Sequence, residues 1–299
     1  MPQLSGKTYR IVCGVALSSL CVIVFTGALV RLTNSGLGCN DWPNCNSSHF
    51  VDVSSSHTTI EQVNRLFTGL VSISVIAAVL LSHLRRPRRK DLVLLSWSLV
   101  GGVAAQIVIG GIVVLTGLNP YANMAHFLVS MVLVASAFML FRRSGTEAPV
   151  SFFRQLPKRM NTFVKACTAA GIISIVTGTI VTATGPHAGT EDAIRFGFAL
   201  QSVARIHSLS VMTFIALLIV VAVRIHRENF DAEIRDAVTA LILVAILQGG
   251  IGYTQYFTGV PVVLVGAHII GALSMFLALC HLVVAPRDAV ESAIPGPAY

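Results

Sequence analysis

GALVRLTNSGLGCNDWPNCNSSHFVDVSSSHTTIEQVNR, residues 27–65, is a polar stretch that separates two apolar segments. It contains two cysteines, two histidines, three acidic residues and two arginines. The chain as a whole is apolar, since 54% of its 299 residues are hydrophobic and only 11% are charged. Soluble domains carry roughly 25% charged residues, so this chain has too few to cover a surface in water. We therefore expect an integral membrane protein in which this stretch forms a large polar loop.

Apolar segments of about 20 residues recur along the chain, and a helix of that length crosses roughly 30 Å of hydrocarbon. We predict eight transmembrane helices. The first is expected to be retained, because no A-x-A-like cleavage site follows it, and no transit peptide is expected. The predicted spans are residues 11–31, 62–83, 92–116, 122–142, 161–184, 199–224, 237–257 and 262–285.

The net charge of +8 is distributed unevenly. Seventeen of the 21 lysines and arginines fall on one side of an eight-helix path. By the positive-inside rule, both termini are predicted to be cytoplasmic and the stretch 27–65 to face outward. We expect these basic residues to set the topology and contact anionic membrane lipid, with no nucleic-acid partner. They lie in residues 7–10, 85–90, 142–165 and 224–235 and at Arg287.

The second half of the chain repeats the first. TGTIVTATG (Thr177–Gly185) echoes TGALVRLTNSG (Thr26–Gly36). An even number of helices in each half gives both copies the same orientation in the membrane. We predict an all-α protein of two tandem, pseudo-symmetric four-helix bundles, residues 1–150 and 151–299. Later in each half, an offset of 142 relates Gln106, Gly110, Thr116, Gly117 and His126 to Gln248, Gly252, Thr258, Gly259 and His268.

The repeat places Asn64, His126, His207 and His268 at equivalent depths in the even-numbered helices. Polar side chains in hydrocarbon cost several kcal/mol unless they are satisfied, which makes each a candidate functional residue. Two histidines at one level of a four-helix bundle are typical of axial ligands to haem iron, which favours His207 and His268 for that role. The alternative is a pair of histidines that only pack and hydrogen-bond between helices.

Glu61 lies three residues before Asn64, so the two residues share a helix face. A carboxylate at the membrane boundary can exchange protons with a substrate. The alternative is an acid at a helix start, favoured by the macrodipole, with Ser56, Thr58 or Thr59 as the cap.

Cys39 and Cys45 flank a short segment of the polar loop. They form either a disulfide that stiffens the loop or a thiol pair that cycles between oxidised and reduced states. A zinc site with His49 and His57 fits no usual ligand spacing.

Three arginines lie at the outer interface. They are candidates to bind the carboxylates of a haem. The alternative is that each extends from a helix end towards water. These residues are Arg31, Arg65 and Arg205.

These motifs resemble the haem A synthase family of bacteria and mitochondria. The similarity lies in GALVRLTNSGLGC, the CNDWPNC loop, IEQVNR and a duplicated eight-helix body, and it covers essentially the whole chain. It implies an enzyme of the cell membrane that oxidises the C8 methyl group of haem O to a formyl group. The oxygen would come from water, and the haem A formed would serve haem-copper oxidases such as cytochrome oxidase.

The resemblance also implies roles for residues and partners. His207 and His268 would hold a haem b cofactor in the second half, while His126 and the region of Asn64 and Arg65 would bind substrate haem in the first. Glu61 would be the catalytic acid, and the Cys39–Cys45 pair would be linked to catalysis. Expected partners are haem O synthase, the assembly of haem-copper oxidase and an electron acceptor that the sequence does not identify. The active sites are expected towards the outer leaflet.

One position departs from the family pattern. Much of the family has histidine in E-x-x-H-R where this chain has Asn64. We therefore expect the substrate iron to be five-coordinate on His126. The main rival function is a membrane haem b electron-transfer protein that does not modify haem, and a second is a small-molecule transporter.

Overall fold

The computed structural model describes residues 4–147, 149 and 151–284. These residues form eight α-helices and no β-strand, and every helix is long and apolar enough to cross a membrane. The predicted all-helical, eight-span fold is confirmed. The helices are α1 (Gly6–Leu32), α2 (Ser56–Leu84), α3 (Lys90–Leu115), α4 (Pro120–Ser144), α5 (Lys158–Thr184), α6 (Leu200–Arg227), α7 (Ala232–Phe257) and α8 (Val262–Val283).

Most of the helices extend beyond the apolar spans, and α2 shows why. It begins at Ser56 because Ser55 caps its N-terminus and forms a capping box with Thr58. Such caps satisfy backbone N–H groups that a hydropathy pattern does not register. The expectation that Ser56, Thr58 or Thr59 is the cap is wrong. Glu61 consequently lies in the second turn of α2, so it is not an acid at the helix start.

The contacts between helices close two rings. In the first half α1 contacts α2, α2 contacts α3, α3 contacts α4, and α4 contacts α1. In the second half α5, α6, α7 and α8 make the same four contacts in the same order. Helices α1, α4, α5 and α8 meet between the rings around a continuous apolar core. The division at residue 150 stays a prediction, and both chain ends and Arg287 lie outside the described ranges.

Several arginines at one end of the helices are buried, so the expected lipid contact is wrong for them. Asp91 pairs with Arg89 at 2.7 Å and with Arg143 at 2.8 Å. Arg85 donates to the backbone oxygen of Thr146 at 2.7 Å. Buried cations need such acceptors because they have lost their hydration. The exposed fractions are 1% for Arg85, 2% for Arg89, 3% for Arg143 and 6% for Arg154.

A second group of charges at the same end joins the two halves. Glu233 of α7 pairs with Arg142 of α4, and it lies 3.7 Å from Arg154 and 3.6 Å from His281. Arg154 also donates to the backbone oxygen of Leu282 at 3.2 Å. Burial lowers the pKa of Arg154, and the nearby carboxylates of Glu233 and Asp231 oppose that shift. Glu233 is thus a shared acceptor for cations from both halves.

Candidate functional site

His207 of α6 and His268 of α8 face each other in the second half. Their ring centroids are 6.5 Å apart and the ring planes are nearly perpendicular, at 88°. Nδ1 of His207 shares a hydrogen bond of 3.1 Å with the Thr177 hydroxyl of α5. A hydrogen bond at one ring nitrogen fixes the orientation of a histidine and leaves the other nitrogen for a metal.

The spacing of these two rings fits a metal atom between them. An imidazole nitrogen binds a transition metal at about 2 Å, and two such bonds plus the nitrogen-to-centre distances come to about 6 Å. The observed separation is 6.5 Å. The donor set, two imidazoles and no acid, is also one that haem iron takes. His207 and His268 therefore fit the axial-ligand role that the sequence predicts for them.

A glycine lies against each of these histidines. A Cβ atom added to Gly178 of α5 would lie 3.1 Å from Cε1 of His207. One added to Gly252 of α7 would lie 3.1 Å from Cε1 of His268. Both distances are tight for carbon atoms, so the rings occupy space that a larger residue would take. The sequence alone did not predict that Gly178 contacts the His207 ring, although TGTIV aligns with TGALV in the repeat and so pairs Gly178 with Gly27.

The first half repeats one of these arrangements. His126 of α4 lies against Gly110 of α3, where an added Cβ would be 3.4 Å from the ring. The side-chain amide of Gln106 donates to the backbone oxygen of His126 at 3.0 Å. Gln248 donates to the backbone oxygen of His268 at the same distance. Nδ1 of His126 is buried and has no hydrogen-bond partner among the described residues.

Asn64 of α2 is the first-half counterpart of His207 in the repeat. Its side-chain oxygen is buried, with no hydrogen-bond partner in the part of the chain that the structure describes. Gly27 of α1 stands where the repeat has Gly178, and a Cβ added to it would meet no atom within 4 Å. No ring lies beside Gly27 as the His207 ring lies beside Gly178.

Glu61 is held by the polar loop and by its own helix. It is 5% exposed. One carboxylate oxygen accepts the backbone N–H of Cys39 at 2.7 Å, and the other pairs with Arg65 at 2.6 Å. The carboxylate is therefore fixed at the junction of the loop and α2.

Arg65 has no free donor for a haem carboxylate in this arrangement. Its Nε and one terminal nitrogen donate to Glu61. Its other N–H groups donate to backbone oxygens of the loop, which brings all five into use. The acceptors in the loop are the oxygens of Cys39, Asp41 and Asn44.

The loop lies over the first half and is closed by a disulfide between Cys39 and Cys45, both fully buried. Trp42 packs on α3, where a Cβ added to Gly111 would lie 2.8 Å from the indole. Gly111 adjoins Gly110, the residue that faces His126. A Cβ at Gly38 would collide with the backbone oxygen of His57, so the loop requires glycine there.

The remaining two arginines occupy different places. Arg31, at the end of α1, donates to the backbone oxygen of Thr182 in α5 at 2.6 Å. Its Nε is buried and has no partner among the described residues. Arg205 is exposed on α6, two residues before His207. Of these two arginines, Arg31 is the one that contacts the other half.

Comparisons with known proteins give one family. A heme A synthase from Listeria monocytogenes serotype 4a is 27% identical over 281 residues, covering 87% of this chain and 90% of that protein. One from Geobacillus kaustophilus is 33% identical over 151 residues, 50% of this chain and 47% of that protein. One from Lysinibacillus sphaericus is 33% identical over 120 residues, 40% of this chain and 39% of that protein. The match thus spans about half the Geobacillus protein and most of the Listeria protein.

The eight helices and these bacterial relatives indicate a multi-pass protein of the plasma membrane. The sequence profile of a family described as cytochrome oxidase assembly protein matches residues 10–54 and 49–280. That match takes in His126, His207 and His268, the polar loop and its disulfide. The chain belongs to this family of cytochrome oxidase assembly proteins.

Proposed function

We propose that the protein is a haem A synthase, a membrane enzyme that oxidises the C8 methyl group of haem O to a formyl group. The haem A formed would serve the assembly of cytochrome oxidase. The observation that carries the proposal is the pair of histidines, His207 and His268, with ring centroids 6.5 Å apart. The similarity to heme A synthases over most of the chain supports it.

The second half would hold a haem b cofactor between His207 and His268. Bound there, the haem supplies one-electron transfer. Thr177 orients His207 through the 3.1 Å hydrogen bond at Nδ1. Gly178 and Gly252 leave room for the two rings. These three residues hold the ligands in place before the cofactor binds.

The first half would bind the substrate, haem O, with His126 on its iron. Asn64 offers an amide where His207 offers an imidazole in the other half, which leaves one face of the substrate iron without a protein ligand. The loop that carries Trp42 would cover this half and exclude bulk water. The site would lie at the loop end of the helices, towards the outer leaflet.

Glu61 would be the proton acceptor. Turning a methyl group and water into a formyl group releases four protons and four electrons, so a base must lie beside the reacting carbon. Glu61 is buried, and its contacts to Cys39 and Arg65 fix the direction of its carboxylate. Water would supply the oxygen atom, and the electrons would leave through the second half to an acceptor.

Arg31 and Arg205 would bind haem carboxylates at the outer interface. Arg31 has a buried Nε with no partner in the described structure, and a buried cation favours an anion as its partner. Haem O synthase would deliver the substrate, and haem-copper oxidase assembly would receive the product.

Haem extraction with mass analysis tests the proposal. Cells that make the wild-type protein should contain haem A, and cells without it should accumulate haem O. His207→Ala and His268→Ala should each lose haem b, whereas Glu61→Gln should keep it and form no haem A. If wild-type protein holds full haem b but does not convert haem O, the result would instead favour an electron carrier.

A further inference from the structure

We propose that the first half contains a binding site for a small uncharged ligand, of the size of water or carbon monoxide, between Gly27 and Asn64. The site would lie on the side of the substrate haem opposite His126. The inference rests on the proposed function, because it needs a haem on His126. It goes further by assigning the open face a ligand and a residue that binds it.

The first argument comes from comparing the two halves. At Gly178 an added Cβ would lie 3.1 Å from the His207 ring, and at the equivalent Gly27 it would meet no atom within 4 Å. Both glycines lie near the outer ends of equivalent helices, α1 and α5. Gly27 is half-buried, so the first half has an unfilled position beside α1 where the second half has the His207 ring beside α5.

The second argument is the amide of Asn64. Its oxygen is buried and makes no hydrogen bond within the described residues. A buried polar group without a partner is unfavourable, so a ligand that bonds to the amide gains free energy. The amide oxygen of Asn64 can accept a hydrogen bond from water, and its N–H groups can donate one to carbon monoxide.

Neighbouring polar groups do not compete for this position. The Thr26 hydroxyl donates to the backbone oxygen of Ile23, although the equivalent Thr177 bonds to His207. The Thr68 hydroxyl donates to the backbone oxygen of Asn64 and leaves the side chain free. Glu61 is neutralised by Arg65 at 2.6 Å. An uncharged ligand therefore fits the site better than an anion.

Carbon monoxide is the probe, added to the purified, reduced full-length protein that holds both haems. We expect one of the two haems to bind it in the visible spectrum. His126→Ala should abolish this binding, and His207→Ala should leave the carbon monoxide complex of the first half intact. Free imidazole should convert the same haem to a low-spin spectrum, since the space matches the imidazole of the other half.

Variants at the two residues test the pocket itself. Asn64→His should remove carbon monoxide binding by supplying a second ligand. Asn64→Leu should keep the binding but raise the C–O stretching frequency in the infrared, because the donor is lost. Gly27→Val should weaken affinity by about tenfold or more through crowding. Gly69→Val is the matched control, since Gly69 is exposed on α2 with no atom near an added Cβ.

The outcomes separate the two proposals. Wild-type protein with two haems, neither of which binds carbon monoxide, would overturn this inference and leave the proposed function standing. An unchanged C–O frequency in Asn64→Leu would overturn it in the same way. A protein that holds no haem and converts no haem O would overturn both.

Discussion

Three histidines of this protein lie against a glycine of the preceding helix, and the glycine decides where the ring can lie. The contact distance from an added Cβ is 3.1 Å for His207 and His268 and 3.4 Å for His126. The second-half rings therefore lie closer to their glycines than the first-half ring does. A fixed redox cofactor benefits from fixed ligands, whereas a substrate has to enter and leave.

Gly252→Ala tests whether the glycine sets the position of the His268 ring. The added Cβ should displace the His268 ring and lower haem b occupancy or shift its absorption, while alanine favours the helix by about 0.8–1 kcal/mol. The loss of haem b in this variant should therefore not be accompanied by a loss of protein stability. Gly250→Ala on the same helix is the control, because no atom lies within 4 Å of its added Cβ. Equal haem spectra in the two variants would contradict the steric argument.

Arg65 should be sensitive to replacement by lysine. Lysine keeps the charge but cannot reproduce five N–H donors in a planar arrangement. Loss of the hydrogen bonds that lysine cannot make should cost about 1–3 kcal/mol. We expect faster amide exchange across residues 39–45 in Arg65→Lys. Arg205→Lys is the control, since Arg205 is exposed, and equal exchange rates in the two variants would show that Arg65 does not brace the loop.

The sequence repeat predicts the histidines of this site but not the contacts of its arginines. The positions of His126, His207 and His268 followed from the repeat, because an offset in sequence becomes an equivalent depth in a parallel duplication. The hydrogen bonds of Arg65 did not follow from the sequence. Three of their acceptors are backbone oxygens of an irregular loop, which no side-chain pattern encodes. The buried state of Arg85 and Arg143 was missed because the positive-inside rule counts charges without regard to their acceptors.

At the scale of elements, the polar loop and α2 form one unit. The loop disulfide is adjacent to the Cys39 N–H that binds Glu61, so the loop positions the proposed proton acceptor. The sequence predicted the loop and the α2 span but placed the start of α2 six residues late, because its first turns are polar. A capping box made those turns helical.

The double variant Cys39→Ala with Cys45→Ala separates a staple from a redox pair. Loss of a short cross-link should destabilise the loop by about 2–3 kcal/mol. If the disulfide is a staple, amide exchange in the loop should rise and haem A formation should fall only as far as Glu61 loses its position. Cys21→Ser, which changes a free thiol of α1, should alter neither property. Complete loss of activity with an unchanged loop would instead establish redox participation.

At the scale of the whole molecule, Glu233 connects elements of both halves. Arg142 of α4, Arg154 of the connecting segment and His281 of α8 all lie beside it. No sequence pattern indicated these contacts, since Arg142 and Glu233 are 91 positions apart. The number and order of the helices were predicted correctly because they depend on hydropathy alone.

Glu233→Gln should therefore destabilise the whole protein. Arg142 would lose its carboxylate and Arg154 would keep only Asp231 at 3.8 Å, which should cost about 3 kcal/mol. Glu228→Gln is the matched control, because Glu228 and Arg224 form an exposed pair at 3.4 Å, worth about 0.5 kcal/mol. Thermal unfolding in detergent, followed by loss of haem absorbance, should show a clearly lower midpoint only for Glu233→Gln. Equal midpoints would mean that Glu233 contributes little to holding the halves together.

The hydrogen bond between Arg31 and Thr182 has a consequence for the history of the chain. In the repeat these two residues are the same position, and they meet where the copies adjoin. An ancestral dimer of identical halves would place two arginines there, and like charges at that distance repel. Two threonines would offer no cation. The acceptor is a backbone oxygen that any residue offers, so what the difference between the copies provides is a single cation, Arg31, at this contact instead of two.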